Sequence, residues 1–376
     1  MTVSLGYGLI GCGAFGRFCA TQYASLPGLA LVAVADTNRS LAEQTARDFG
    51  VPALDVETLL SLPEVDLVHI ATPPGTHLDL ALSALQAGNH VLCEKPLALD
   101  LASARKMIDA AQARGRILAV NLIMRYNPLA EAVHQILEEK LLGETLHGTF
   151  ENLAQDETLG PDHWFWTPSA SGGIFIEHAV HFFDLFEWWL GPGRVVAAQQ
   201  GRRPDNKSIV EHVGSTSVHG SGTWVNQYHG FHQAGRMDRQ EFRIVCERGD
   251  LLLREWVPTQ LTVDGLMDEE TLARIQELVP HSTTELVERY TDSTRMVRSR
   301  HKAYAVDGRW TVSGNTGMEK PALYGFVVRS LMSDQLASMV DPDHVRRVDE
   351  TNGFRSLAMA ISAQTLAQSP LPEVSP

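Results

Sequence analysis

The sequence predicts an α/β protein: a doubly wound parallel sheet at the N-terminus, then a second α+β domain on a mostly antiparallel, open sheet. Three observations predict it. Over the first 122 residues, short β-branched runs alternate with longer amphipathic stretches, the pattern of strand–helix–strand units. A glycine run, Gly8 to Arg17, sits where the first apolar run gives way to the first amphipathic stretch. From Arg194 to Trp256, strand-like runs follow one another with only turns between them, as in an antiparallel sheet.

Strands are expected at Leu5–Ile10, Leu29–Ala35, Leu67–Ala71, His90–Leu92 and Ile117–Val120. Between them, helices are expected from Ala14 to Ser25 and over Ser40–Phe49, Thr76–Ala87 and Asp100–Arg114. Asp100 suits an N-cap and Gly115 a C-cap. The character changes after Asn127-Pro128. A helix is expected over Ala130–Lys140, a strand near Leu146–Leu153, and a long apolar helix from Gly173 to Leu190. The later strands are Arg194–Gln199, Ile209–Val218, Gly222–Phe231, Phe242–Cys246 and Asp250–Trp256. Residues 265–315 are polar and resist assignment. Helices return at Ala322–Met339 and Asp349–Ala367, before a short Ser/Pro tail. The expected domains are therefore 1–124 and 125–376, with the C-terminal helices packing back on the first.

Composition narrows the function. A chain of 376 residues with 44% hydrophobic and 20% charged residues is long enough for two cores. Its 31 Lys and Arg against 45 Asp and Glu give a formal charge of −14, and no basic block stands out. Nucleic acid and anionic membranes are not expected partners. No apolar run reaches the length of a membrane span, and Met1 to Ile10 lacks the basic start of a signal peptide. Cys12, Cys19, Cys93 and Cys246 show no paired spacing and read as reduced thiols of a cytoplasmic protein.

In Gly11-Cys12-Gly13-Ala14-Phe15-Gly16, Gly11 allows a tight turn and Gly13 a close approach of backbone to pyrophosphate. Gly16 lets the following helix pack closely, with the N–H groups at its start, Ala14 and Phe15 among them, facing the phosphates. Asp36 follows Gly16 by twenty positions, at the end of the second strand. A carboxylate there accepts both adenosine ribose hydroxyls and repels a 2′-phosphate, which favours NAD over NADP. Arg39, three residues on, is the group that would moderate that preference.

Three further stretches carry a resemblance: Ala71-Thr72-Pro73-Pro74-Gly75-Thr76-His77, Cys93-Glu94-Lys95-Pro96, and Gly172-Gly173 through Glu177-His178-Ala179-Val180-His181 to Asp184. In this order, behind a dinucleotide fingerprint, the chain resembles the Gfo/Idh/MocA family. The likeness is close from residue 5 to 128, specific again over 172–191, and weak over 265–315. It implies a Rossmann domain carrying NAD(P), then an α/β domain whose open sheet supports a homo-oligomer, dimer or tetramer. It also implies hydride transfer at a carbinol carbon of a sugar, cyclitol or related polyol. By resemblance, Lys95 is the catalytic lysine, Glu94 lies against the cofactor ribose, Thr72, Pro73 and His77 border the cofactor, and Arg125 lies near nicotinamide and substrate.

The residue types suit that chemistry. Lys95 follows a strand end, where open α/β sheets hold ligands, and an ammonium there stabilises a developing alkoxide. Glu177 and His181, four apart on one helix, share a face. An imidazole can take the hydroxyl proton as hydride leaves, and the carboxylate can orient that ring or hold a neighbouring hydroxyl. The family usually carries Asp-x-Gly-x-His here, whereas this chain has Glu177 and Ala179. His178 adds a second imidazole as a substrate contact. Glu-His-x-x-His matches neither zinc-protease order, and no metal is expected. Trp164 and Trp166 suit a sugar wall and buried packing equally. Arg295, Arg298, Arg300, His301 and Lys302 fit a solvated face better than an anion site.

The leading expectation is an NAD-dependent dehydrogenase of a sugar, sugar derivative or cyclitol. A glycosidase that recycles NAD through transient oxidation at C3 is the alternative. A non-enzymatic NAD-binding regulator ranks lower, because Lys95 and His181 are both present.

Overall fold

The computed structural model describes residues 4–156, 159–220 and 222–369. The first three residues and the Ser/Pro tail from 370 lie outside them. Five strands form the first sheet: β1 (Leu5–Ile10), β2 (Leu29–Ala35), β3 (Leu67–Ile70), β4 (His90–Cys93) and β5 (Leu118–Val120). They pair in parallel in the order β2-β1-β3-β4-β5. Their connections carry α1 (Ala14–Tyr23), α2 (Arg39–Phe49), α3 (Val56–Leu60), α4 (His77–Ala87) and α5 (Leu101–Arg114). Side-chain caps start three of these helices: Asn38 accepts from Leu41 N–H, Asp55 from Thr58 and Asp100 from Ser103. Gly50, Gly88 and Gly115 end α2, α4 and α5 in the left-handed region. The strands are nearly all apolar because both sheet faces are covered. The strand order reverses between β1 and β3, and that switch point is where open α/β sheets bind ligands.

Beyond β5 come α6 (Pro128–Glu138), β6 (Thr145–Ala154), the short α7 (Pro168–Ser171) and α8 (Val180–Leu190). The next strands are β7 (Gly193–Arg202), β8 (Val210–His219), β9 (Thr223–Phe231), β10 (Arg239–Cys246), β11 (Gly249–Arg254) and β12 (Gln260–Met267). Residues 265–315, which the sequence leaves unassigned, finish β12 and form α9 (Glu269–Leu278), β13 (Thr283–Arg289), the hairpin β14 (Met296–Ser299) and β15 (Lys302–Ala305), and β16 (Gly308–Asn315). Two helices follow, α10 (Lys320–Val340) and α11 (Glu350–Gln368). The second sheet has nine strands in the order β13-β16-β12-β11-β10-β6-β9-β8-β7, antiparallel except for β6 beside β9. Alternate residues of central strands such as β10 and β12 are buried, and Phe150, Phe186, Trp189 and Phe242 pack together on that face.

The described residues divide into two compact units. One takes the chain up to Ile123 together with Trp164–Asp184 and Gly325–Ile361. The other takes Met124–His163, Leu185–Tyr324 and the chain from Ser362. Within the first unit, Arg105 lies over the Phe354 ring of α11, Arg329 of α10 donates to Gln22 of α1, and Arg346 between the two helices donates to the Leu118 carbonyl, so α10 and α11 contribute to the packing around the parallel sheet.

Candidate active site

The glycine run turns out of β1 at the switch point. Gly11 sits at φ +104, and a Cβ there would meet the Ala71 carbonyl at 2.3 Å. A Cβ on Gly16 would meet the Gly11 carbonyl at 2.1 Å, so only glycine lets α1 approach its own loop. Gly13 differs: a Cβ there meets nothing within 4 Å. Gly13 is also the N-cap of α1 without a side-chain cap, so the first N–H groups of that helix, with Ala14 and Phe15, face this opening. Asp36 accepts the Cys12 N–H at 2.7 Å and the Asn38 N–H at 2.7 Å, which fixes its carboxylate beside the loop. An open glycine turn at a helix N-terminus with a carboxylate beside it fits a dinucleotide. Arg39 points away into solvent and pairs with Glu43 at 2.8 Å.

The other side of the switch point is the loop after β3. His77, fully buried, reaches the Thr72 carbonyl through Nε2 at 2.9 Å and the Pro96 carbonyl through Nδ1 at 2.8 Å. It thus ties the Thr72–Pro73 loop to the segment just after Lys95. Burial pushes His77 below the ordinary imidazole range, while those two carbonyls and Glu94 pull the other way.

Lys95 follows β4, and its ammonium donates to the Glu177 carboxylate and, at 2.9 Å, to the Glu177 backbone carbonyl. The helix expected from Gly173 to Leu190 is not uniform. Phe175–Ala179 form a π-turn, and α8 starts only at Val180. Spacing by α-helical rotation, on which Glu177 and His181 would share a face, does not hold across this turn. The carboxylate goes to Lys95 instead, and Lys95 is the common neighbour of Glu177, His178 and His181. His181 is buried and His178 partly buried, both beside a cation. His178 is pushed down to about 3, first by burial and then by Lys95. His181 is held well below the imidazole range by burial, then Lys95, then His178. At neutral pH both rings are uncharged, the form that accepts a proton.

Trp164 keeps 38% of its surface exposed, whereas Trp166 is buried edge-on against Phe165 at 4.8 Å. For Trp166 the packing alternative therefore applies. Arg125 belongs to the second unit, where its guanidinium lies over the Trp188 ring at 5.7 Å. Sequence reasoning missed His69 and Asn121. His69 interrupts the apolar run Leu67–Ile70, and that interruption was the available signal. Its Nε2 lies 2.9 Å from Glu94 Oε1, and Asn121 Nδ2 donates to the same oxygen at 2.8 Å.

Comparison with known proteins identifies the family and the cofactor domain. Residues 5–122 match the oxidoreductase family domain with an NAD-binding Rossmann fold, and residues 130–252 match the GFO/IDH/MocA C-terminal domain. The chain belongs to the Gfo/Idh/MocA family. The Gfo/Idh/MocA sequence resemblance and the NAD-binding Rossmann domain are thereby both established. Among its relatives, the NAD-dependent scyllo-inositol 2-dehydrogenase of Bacillus subtilis is 28% identical over 201 residues, 53% of this chain and 57% of that protein. The D-apiose dehydrogenase of Paraburkholderia graminis is 34% identical over 198 residues, 52% of each chain. The chain spans about half the length of the curated relatives it matches. A solved levoglucosan dehydrogenase, in complex with NADH and levoglucosan, has the same fold with a TM-score of 0.76 over 97% of both chains at 20% identity.

Proposed function

We propose that this chain is an NAD-dependent oxidoreductase that removes hydride from a carbinol carbon of a sugar, sugar derivative or cyclitol. The observation that carries the reading is the Lys95 ammonium, held beyond the end of β4 by Glu177 and accompanied by two imidazoles that are neutral at pH 7. Bound NAD supplies the hydride acceptor, C4 of its nicotinamide. The chain's part is to hold and orient. Gly11, Gly13, Ala14, Phe15 and Gly16 offer backbone to the pyrophosphate, Asp36 takes the adenosine ribose, and Thr72, Pro73 and Glu94 border the nicotinamide half.

His181 accepts the substrate hydroxyl proton as the carbinol carbon gives up hydride. Lys95 donates a hydrogen bond to the same oxygen and stabilises the negative charge it gains. Glu177 positions that ammonium rather than orienting His181. His178 is a substrate contact next to it, Arg125 is assigned to substrate by family resemblance, and Trp164, still part-exposed, offers an aromatic face to a sugar ring. The preference for NAD over NADP rests on Asp36 being already engaged as an anion beside the glycine loop.

The test incubates purified protein and NAD with cyclitols, aldoses, uronates and aryl glycosides, following NADH absorbance and sugar products together. NADH accumulation that disappears in Lys95→Ala supports the reading. Glycoside cleavage that requires NAD but leaves no net NADH overturns it in favour of cofactor recycling.

A further inference from the structure

Glu94 and His69 form a buried polar pair inside the parallel sheet, where aliphatic side chains would pack at lower cost. His69 lies on β3 and Glu94 immediately follows its neighbour β4. His69 has no exposed surface, and its Nδ1 is buried without a hydrogen-bond partner. Among the described residues its one polar partner is Glu94 Oε1, so the ring proton belongs on Nε2 and is donated to the carboxylate. Asn121, just past β5, donates to that same oxygen. Two donors from two neighbouring strands therefore saturate Oε1. Oε2 takes no hydrogen bond from the described residues, and the Glu94 side chain keeps 10% of its surface open.

The asymmetry has a physical meaning. A glutamate has three rotatable side-chain bonds, and a free one samples many directions before it binds anything. Fixing one oxygen fixes the other, leaving Oε2 as a single aimed acceptor beside Lys95 at the carboxyl edge of the sheet. Cys19 completes the cluster with His69 and Glu94. Burial holds its thiol well above the ordinary range, so it remains protonated and packs there rather than acting as a thiolate metal ligand.

We infer that His69 is a positioning residue: with Asn121 it pins one oxygen of Glu94 so that the other is presented to the ribose hydroxyls of the nicotinamide half of NAD. The inference rests on the proposed NAD-dependent function, and it places a determinant of cofactor affinity inside the sheet, out of contact with the cofactor.

The experiment titrates NAD by calorimetry into the full-length wild type, His69→Leu, His69→Gln, Glu94→Ala and the His69→Leu/Glu94→Ala double variant. His69→Leu keeps an apolar body in the strand and removes the donor. Its NAD dissociation constant is expected to rise about tenfold or more, the scale of a lost hydrogen bond to a charged group. His69→Gln, which retains an N–H donor, is expected to recover most of that loss. In the Glu94→Ala background, His69→Leu is expected to cost nothing further. Where His69→Leu does not yield folded protein, His69→Val, native to strands, replaces it. Unchanged affinity in the apolar variant, or an equal loss with and without Glu94, overturns the inference. A wild type that binds no NAD overturns the NAD-dependent reading itself, a failure distinct from either.

Discussion

Buried histidines in the two units have opposite surroundings. In the nine-stranded sheet, His219 spends both ring nitrogens on its neighbours: Nε2 meets Ser217 Oγ at 2.9 Å and Nδ1 meets the Gly191 carbonyl at 3.1 Å. Burial alone lowers it, and the Gly191 hydrogen bond opposes that. Its ring also fills the space over Gly193, where a Cβ would approach it to 2.4 Å. His181 is buried and His178 partly buried, but each has the Lys95 ammonium as a neighbour. A packing histidine has no need of a cation beside it. Burial and then the neighbouring Lys95 keep both imidazoles neutral, the form that has a lone pair to take a proton, while lowering their basicity so that a proton taken up is readily passed on.

The largest expected effects break that comparison directly. His181→Asn is expected to lower kcat by about 10²–10⁴, the range for losing a general base. Lys95→Ala is expected to lower it by about 10²–10³, the range for losing one donor to a developing oxyanion. His219→Asn strands Ser217 and the Gly191 carbonyl, so it should cost stability of about 1–3 kcal/mol while leaving kcat within about twofold. Steady-state kinetics and thermal denaturation on the three variants check all of this. A comparable loss of kcat in His219→Asn would erase the distinction between the two sets.

The same contrast marks how far the sequence could be read. Gly11, Gly13 and Gly16 were legible because their constraint is local: a turn, an opening and a close helix contact within six residues of chain. Asp100 and Gly115 were legible for the same reason. His69 was not, because its partner Glu94 lies 25 residues away, just past the neighbouring strand, and only the pairing of β3 with β4 brings them together. The Lys95–Glu177 pair was hidden by the π-turn, since uniform helical rotation assigns Glu177 a different direction. β13 escaped for the opposite reason. Every residue from Thr283 to Arg289 is exposed on an edge strand, so no alternation marks it.

A smaller effect separates the lysine's influence from burial. A histidine whose folded pKa is depressed gives stability that is fully present above its unfolded value of about 6.5 and is lost as pH falls toward the folded value. For His178 that window runs from about 6.5 down to about 3. Each such group steepens the fall by at most about 1.4 kcal/mol per pH unit, because the unfolded chain binds the proton that the folded chain refuses. Thermal midpoints of the wild type should therefore drop between neutrality and moderate acid, and His178→Gln should drop less. Lys95→Ala should lessen the drop as well, by removing the second cause at His178 and His181. Under the same conditions it should not alter the contribution of His219, which has no cation among its causes.

The smallest expected effect concerns the basic segment of the second unit. Arg298, Arg300, His301 and Lys302 lie on the β14–β15 hairpin, with Arg300 and His301 at its turn in the left-handed region. Their neighbourhood already holds opposing charge: Arg295 pairs with Asp307, and Arg300 Nε lies 3.9 Å from Glu247. Arg300 is 60% exposed, so water screens that pair and its worth is about 0–1 kcal/mol. Arg300 and Lys302 both act on Glu247, so their charge is already met by a carboxylate of the same chain rather than left to converge on a bound carboxylate or phosphate. The double variant Arg298→Ala/Arg300→Ala should therefore move stability by no more than about 0.5 kcal/mol. It should also leave kcat/KM for neutral sugars and for uronates unchanged. A rise in KM confined to the uronates would give this hairpin a substrate role and would extend the functional contrast from the buried histidines to the surface.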